Sequence, residues 1–576
     1  EADFFALGGH SLLAMRVLLR VERSFAVDLP VRAIFEAPTV AALARRVEAA
    51  RQGGEARERP PLRPAERGSE AALSFAQQRL WFVDQMEGAG AAYHVPGAVR
   101  LRGQLDARAL RRALEEIVRR HEALRTVFRV RDAEPLQVVL PPSGVPLPLL
   151  DLSTRPGPAR EAALRDVVRD EARRPFDLAA GPLFRAVLVR LDEEEHALLW
   201  SMHHVVSDGW SIGIFHHELE VLYGAFSRGE PSPLPELPIQ YADYALWQRA
   251  YLNGEVLHRQ LAWWKARLAG APALLELPTD HPRPAVQTYR GARQPFHLDD
   301  ALRQRLEAVA RGEGATLFMV LLAAFQVLLG KYAGTDDVVV GSPIAGRTRA
   351  ETEGLIGVFV NTLALRTDLS GDPGFGEVLR RVREVTLGAY EHQEVPFEKL
   401  VEELGIERSL GHTPIYQATF NLQTAGGELR LDGVAAEPLG VELDAIPFDL
   451  MLALWPGEAG LAGAIGYATD LFDAATIARL GEHYRTLLEG IAAQPGRRLS
   501  RLPLLGEAER RRLLAEWSPA GPSLPVERCL HELFEAQAGR TPWAVAVVHG
   551  DERITYAELD RRANRLAHLL RARGVG

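Results

Sequence analysis

Cysteine is nearly absent: Cys529 is the only one in 576 residues. A lone thiol excludes an internal disulfide framework and any metal site built from several cysteines. It suits a reducing cytoplasm. Basic charge is also in deficit, with 67 Lys and Arg against 76 Asp and Glu and a formal charge of −9. The chain therefore shows no electrostatic footprint for nucleic acid. Its opening residues, Glu1 and Asp3 among them, carry no basic-then-apolar leader. The longest apolar stretch, 315–330, is interrupted by Gln326 and too short to cross a bilayer. A buried helix is expected there. These absences point to a soluble cytoplasmic protein without metal, nucleic-acid or membrane partners.

Hydrophobic residues make up 47% and charged residues 25%, ordinary for a globular chain. The length allows about four average domains. Residues 1–50 read as part of a small helical domain, and the chain is expected to begin inside that domain. Ser11 opens a helix through Leu12, Leu13, Met15, Val17, Leu18 and Val21. A short helical piece follows at 31–35, and Thr39 caps a third helix carrying Val40, Leu43 and Val47. Residues 51–70, rich in Pro, Gly and charge without apolar period, read as a linker.

From 71 to 505, helical patterns (110–120, 162–173, 299–311, 375–392, 474–491) alternate with strand-like runs (136–140, 184–191, 338–341, 461–467). That alternation predicts an α/β fold. It divides into halves of about 71–245 and 246–505, with the proline-rich 231–238 segment as a loop between them. A second linker spans 506–527. Residues 528–576 then offer a short helix, a strand at 544–549 and a final helix.

The most informative stretch is 202–211: Met-His-His-Val-Val-Ser-Asp-Gly-Trp-Ser. An apolar run at 197–200 precedes it as a strand. Ile212, Ile214, Phe215, Leu219 and Leu222 follow at helical spacing. Neighbours on an extended chain face opposite ways, so only one of His203 and His204 can face a cavity beside the strand. That geometry excludes a zinc pair, whose imidazoles must converge. One working histidine, Asp208 fixing the loop and Gly209 admitting close backbone approach make a functional reading. A structural histidine beside an ordinary loop is the bland one. The pair His216-His217 lacks the following Asp-Gly.

Motifs elsewhere decide between them. Asp3-Phe4-Phe5-x-x-Gly8-Gly9-His10-Ser11-Leu12 resembles the prosthetic-group site of a peptidyl carrier protein from a non-ribosomal peptide synthetase. That resemblance implies 4′-phosphopantetheine esterified to Ser11, and a helix N-terminus suits its phosphate. Seven further stretches resemble, in order, the core motifs of a synthetase condensation domain. They are 74–81 with Arg79, 120–126 with Arg125, the double-histidine stretch with Trp210, 241–247, 356–362 with Asn361, 392–398 with Glu394, and 412–415, whose beginning at 408–410 is less well kept. Residues 554–559 resemble the first core motif of an adenylation domain. No phosphate loop or catalytic lysine follows, so amino-acid activation is not expected of this chain.

The resemblance implies a chloramphenicol-acetyltransferase-like fold of two α/β lobes preceded by a small helical carrier. It also implies upstream and downstream carriers with tethered substrates, an adjacent adenylation domain, and amide-bond formation between a thioester donor and an acceptor amine. In that family His204 faces the tunnel and His203 packs. Asp208 is an anion held by an arginine, for which Arg347 is the candidate. The Gly209 N–H is a candidate oxyanion donor. Whether the histidine acts as base or positions the amine stays open. The first two motifs and Gly8-Gly9-His10-Ser11 also resemble the subtype joining an L donor to an L acceptor. An epimerase is disfavoured by that same Gly-Gly-His-Ser loop. A catalytically idle recruitment module is disfavoured because His203, His204, Asp208 and Gly209 are all present.

Overall fold

The computed structural model describes all residues except 1, 6, 10, 28, 54–59, 86–89, 407–408, 424–428, 442–443, 517–528 and 576. The chain forms two units, Glu1–Leu504 and Leu505–Gly576.

Three helices begin the first unit: Ser11–Phe25, Arg32–Glu36 and Val40–Gly53. The Thr39 hydroxyl accepts the Ala42 N–H at 3.2 Å, the expected cap. The loop before Ser11 is wound tightly, with the Gly9 N–H on the Phe4 carbonyl at 2.9 Å and the Phe5 N–H on the Asp3 carboxylate at 2.8 Å. Gly8 sits at φ +87°, and a Cβ on Gly9 would collide with the Phe4 ring. Only glycine fits both places. Helices this short bury too little surface to stand alone. Ala14, Leu18, Val31, Ile34 and Phe35 accordingly share one apolar core with the second lobe.

The region expected to be linker is corrected in two ways. Its first residues continue the third helix to Gly53. Residues 60–69 are laid onto the first lobe: Leu62 is 4% exposed within its core, and the Arg67 Nε donates to Asp243 at 2.7 Å. Each contact is made by a single residue rather than by one face, so no sequence period betrays it. Residues 517–527 of the second expected linker, including Pro519, Pro522 and Pro525, lie outside the described residues, and its earlier part is corrected to a helix, Glu507–Ala515.

The first lobe centres on a five-stranded sheet ordered Val434–Pro438, His94–Gly103, Glu195–His203, Phe184–Arg190, Leu149–Asp151. Residues 197–203 of its central strand are all buried. Helices Ala107–Arg120, Gly157–Arg173 and Gly209–Ser227 pack on this lobe. The second lobe carries six strands in the order Asn361–Asp368, Asp337–Ile344, Ala418–Leu422, Leu450–Gly457, Gly460–Ala468, Gly291–Asp299. Its core helix, Leu317–Ala333, is apolar on every side and therefore buried. Gln326 is tolerated there because its amide bonds Leu365 O at 2.8 Å and the Thr367 hydroxyl at 3.0 Å. No single helix among the described residues is long and apolar enough to cross a membrane.

The expected division at about residue 245 also needs correction. Val434–Pro438, from the second half of the sequence, pairs antiparallel with His94–Gly103 of the first-lobe sheet. The lobes are tied by an exchanged strand and are not contiguous in sequence.

The second unit contains helices Glu507–Ala515, Leu530–Arg540 and Tyr556–Ala572, with a hairpin of Val545–His549 and Glu552–Thr555.

Candidate active site

A cavity of about 300 Å³ lies between the lobes, and His204 lines it. The neighbouring histidine goes the other way. His203 ends the Glu195–His203 strand and is 2% exposed, with Nδ1 accepting the Val205 N–H at 3.2 Å and its ring edge-on to Phe176 and His94. Strand alternation anticipated one ring in and one ring out, but the cause is different. The strand stops at His203, and His204 opens a 3₁₀ turn, His204–Val206, that swings its side chain into the cavity.

Burial, the largest influence on His204, lowers its pKa, against opposing pulls from the Asp208 carboxylate and from backbone groups of His204 and Ser207. Its Nδ1 is buried without a well-aligned hydrogen-bond partner among the described residues. Burial and the nearby His94 and His204 push His203 down to about 3. Both rings are neutral near pH 7.

Asp208 caps the Gly209–Ser227 helix, accepting the Ser211 N–H at 2.9 Å and its hydroxyl at 2.7 Å. Its other oxygen takes the Phe359 N–H at 2.9 Å. Arg347 completes the set at 3.1 Å. Gly346, at φ +64°, turns the backbone so that Arg347 points inward, and the guanidinium also bonds the Thr352 and Leu355 carbonyls. Oδ1 accepts from three protein donors and Oδ2 from one, so this carboxylate holds loop, helix and second lobe together.

The remaining sequence candidates divide between cavity and scaffold. Arg79 lines the cavity, with Nε 3.1 Å from Glu398. Asn361 lines it too and clamps the following loop, donating to Gln393 O at 2.9 Å and Val395 O at 2.7 Å and accepting the Phe397 N–H at 3.2 Å. Arg125 is not brought there; it bonds the Leu140 carbonyl at the end of a neighbouring strand. Trp210 donates to Glu353 O at 3.1 Å, outside the lining. Gly209 is exposed at the helix start and is likewise not among the lining residues, which separates its N–H from the cavity. The second motif is architectural: Arg120 and His121 grip the buried Glu218 at 3.1 and 3.0 Å. Tyr241 ties the first motif to the fifth, bonding Ser74 at 2.8 Å and donating to Val358 O at 2.7 Å.

Sequence reasoning missed Tyr93, His94, Arg293 and Phe448, all of which line the cavity. None lies in a recognisable motif. Tyr244, Trp247 and Glu398 sat inside quoted motifs without being singled out. Among the described residues, no three His, Cys, Asp or Glu side chains converge as metal ligands.

The family model for the condensation domain matches residues 68–514, that for the phosphopantetheine attachment site 1–47, and that for AMP-binding enzymes 534–576. The chain belongs to the condensation-domain family of the non-ribosomal peptide synthetases. It is 47% identical, over its whole length, to a linear gramicidin synthase of Brevibacillus parabrevis, of which it spans 11%. The X-domain from teicoplanin biosynthesis superposes with a TM-score of 0.72 at 32% identity, covering 77% of this chain and all of that one. The first condensation domain of the calcium-dependent antibiotic synthetase shares the fold, with a TM-score of 0.65 at 24% identity over 76% of this chain and all of that one. The chloramphenicol-acetyltransferase-like two-lobed fold and the helical carrier region are thus in place.

The carrier region suits its prosthetic group. A loop closed by Gly8 and Gly9 delivers Ser11 as the first residue of a helix, where unpaired N–H groups and the helix dipole favour a phosphate.

Proposed function

We propose that this condensation domain joins an acyl or peptidyl group, presented as a thioester by the upstream carrier, to the amine of an aminoacyl group on a downstream carrier. Ser11 is the residue that bears 4′-phosphopantetheine, and the adenylation region that follows in sequence is the next module's start. When bound, the arm supplies a thiol that holds the acyl group in activated form. The observation that carries this reading is the placement of His204: one neutral imidazole on the wall of a cavity between two lobes.

The chemistry asked of the protein is modest. Holding thioester and amine in attack geometry contributes roughly 7–11 kcal/mol. An α-amine has a pKa of about 7.7–8.0, so a sizeable fraction is protonated near neutrality. His204 accepts a hydrogen bond from the neutral amine and aims its lone pair, or takes its proton as the bond forms. His203 supports the strand end, and Asp208 with Arg347 keeps the loop in register. Arg79 and Asn361 also line the cavity. The first two motifs favour an L donor and an L acceptor, and the single free Cys529 favours a cytoplasmic setting.

A second reading, a recruitment module without catalysis, draws on the likeness to the X-domain, which has been solved in complex with OxyB. Single-turnover reactions with both carriers loaded, followed by intact-protein mass spectrometry, separate the two. Transfer of the donor mass to the acceptor carrier supports condensation. Stable loading without transfer supports recruitment, and inversion of a donor α-carbon without transfer would identify an epimerase.

A further inference from the structure

One cavity wall is the helix Tyr241–Tyr251, which contributes Tyr244, Trp247 and Tyr251 to the lining. The rings stack in series. Tyr244 and Trp247 lie 6.1 Å apart at 27°, and Trp247 and Tyr251 lie 5.0 Å apart at 18°. Residues three and four apart on a helix are neighbours, so a displacement of the middle ring is felt by both others.

Two of the contacts that hold Trp247 lead back to the carrier. Its indole N–H donates to the carbonyl of Pro60, in the segment joining carrier to first lobe, at 2.9 Å. The Arg349 guanidinium lies 5.9 Å from its ring centre. Arg349 in turn pairs at 3.1 Å with Glu22 of the carrier helix Ser11–Phe25 and more loosely, at 3.6 Å, with Glu351. Arg349 is 8% exposed, and of its two ion pairs among the described residues the shorter is the one that the carrier supplies.

A small cavity at this junction is lined by Glu22, Thr348, Gln393 and Glu394, and the last three also line the main cavity. The carrier's docked face and the reaction cavity therefore share a wall.

We propose that Arg349 couples the seating of the carrier to the aromatic wall of the reaction cavity. The Glu22–Arg349 pair and the Pro60 carbonyl set Trp247, and Trp247 sets the width of the space beside His204. When the carrier leaves, Arg349 has only the longer contact to Glu351 and follows it, and the cation withdraws from the indole face. Arg349 and Trp247 are positioning residues in this scheme. The inference rests on the condensation reading and deepens it, because the cavity takes its working shape only under a docked carrier.

The test uses the whole chain labelled with 5-fluorotryptophan. The sequence has nine tryptophans, and the Trp247 ¹⁹F resonance is assigned through Trp247→Phe. Glu22→Gln, nearly isosteric at a partly exposed side chain, and Arg349→Gln should each move that resonance while leaving resonances remote from the junction in place. Glu22→Asp and Arg349→Lys should restore much of its position. In parallel, single-turnover condensation is measured with an aminoacyl N-acetylcysteamine thioester, a small donor that needs no docking, and a loaded downstream carrier. Glu22→Gln should slow it at least about fivefold, the lower range of coupling between sites. A docking role alone would leave that rate untouched. A Trp247 resonance unmoved in both folded variants overturns the proposal, and so does a small-donor rate equal to wild type. A moved resonance in a protein that condenses no substrate pair leaves the coupling standing and removes the condensation reading instead.

Discussion

Asp208 and Arg347 meet 3.1 Å apart where the two lobes join, their side chains 3% and 1% exposed. Removing one member of a buried pair leaves the other charge without compensation, at a cost of about 3–5 kcal/mol. Asp208→Ala and Arg347→Met should each lower the denaturation midpoint by a corresponding amount, with activity falling alongside. The double variant should regain part of the loss, since neither buried charge remains. An Asp208→Ala protein as stable as wild type but without turnover would take the carboxylate out of the scaffold and put it into the chemistry.

His204→Ala should fold normally and still accept loaded carriers, because the ring faces a cavity rather than the core. Single-turnover peptide formation across pH 6–9 then reports its role. As a base, His204 should leave a deficit of about 10²–10⁴-fold when removed. As a positioner, it should leave a smaller deficit and a rate that still climbs with pH as the amine deprotonates. A rate near wild type would favour the recruitment reading.

Acid stability should be governed in part by His203. Its folded-state pKa is about 3, against 6.5 for the ordinary imidazole. The unfolded chain therefore binds more protons below 6.5, and stability is full above that pH and declines as pH falls toward 3. The slope contributed by this one ring is about 1.4 kcal/mol per pH unit within that window. His203→Asn should flatten the slope of unfolding free energy between pH 6 and 4, whatever it does to the absolute stability at pH 7. Chemical denaturation at several pH values measures it. An unchanged slope would mean that His203 is already charged in the fold.

Treatment with a phosphopantetheinyl transferase and coenzyme A should add one arm to Ser11, visible by peptide mapping. Ser11→Ala should abolish the gain without altering the melting temperature. A gain that persists in Ser11→Ala would move the attachment site elsewhere.

Part of the short-range grammar was legible in the sequence. Thr39 caps Val40–Gly53, and the apolar run at 315–330 is the core helix. These features depend on residues within four positions of each other or on a single periodicity. The α/β alternation and the motif order carried the family in the same way. The division of labour between His203 and His204 was legible in outcome but not in cause. A strand end followed by a 3₁₀ turn has much the same apolar spelling as a strand that continues.

Tertiary structure alone decided what lies far apart in sequence. Strand Val434–Pro438 joins the first-lobe sheet through backbone N–H and C=O groups, which every residue type carries, so neither partner's side chains announce the pairing. The docked 60–69 segment, the Pro60–Trp247 bond and the Glu22–Arg349 contact are single-residue attachments with no period to read. Tyr93, His94, Arg293 and Phe448 become cavity residues because two lobes face each other, and facing is a property of packed surfaces rather than of any segment. The sequence by itself determined the elements, their caps and the chemistry-bearing loop. Packing across distances of up to several hundred residues determined which side chains share the cavity and which only hold it open.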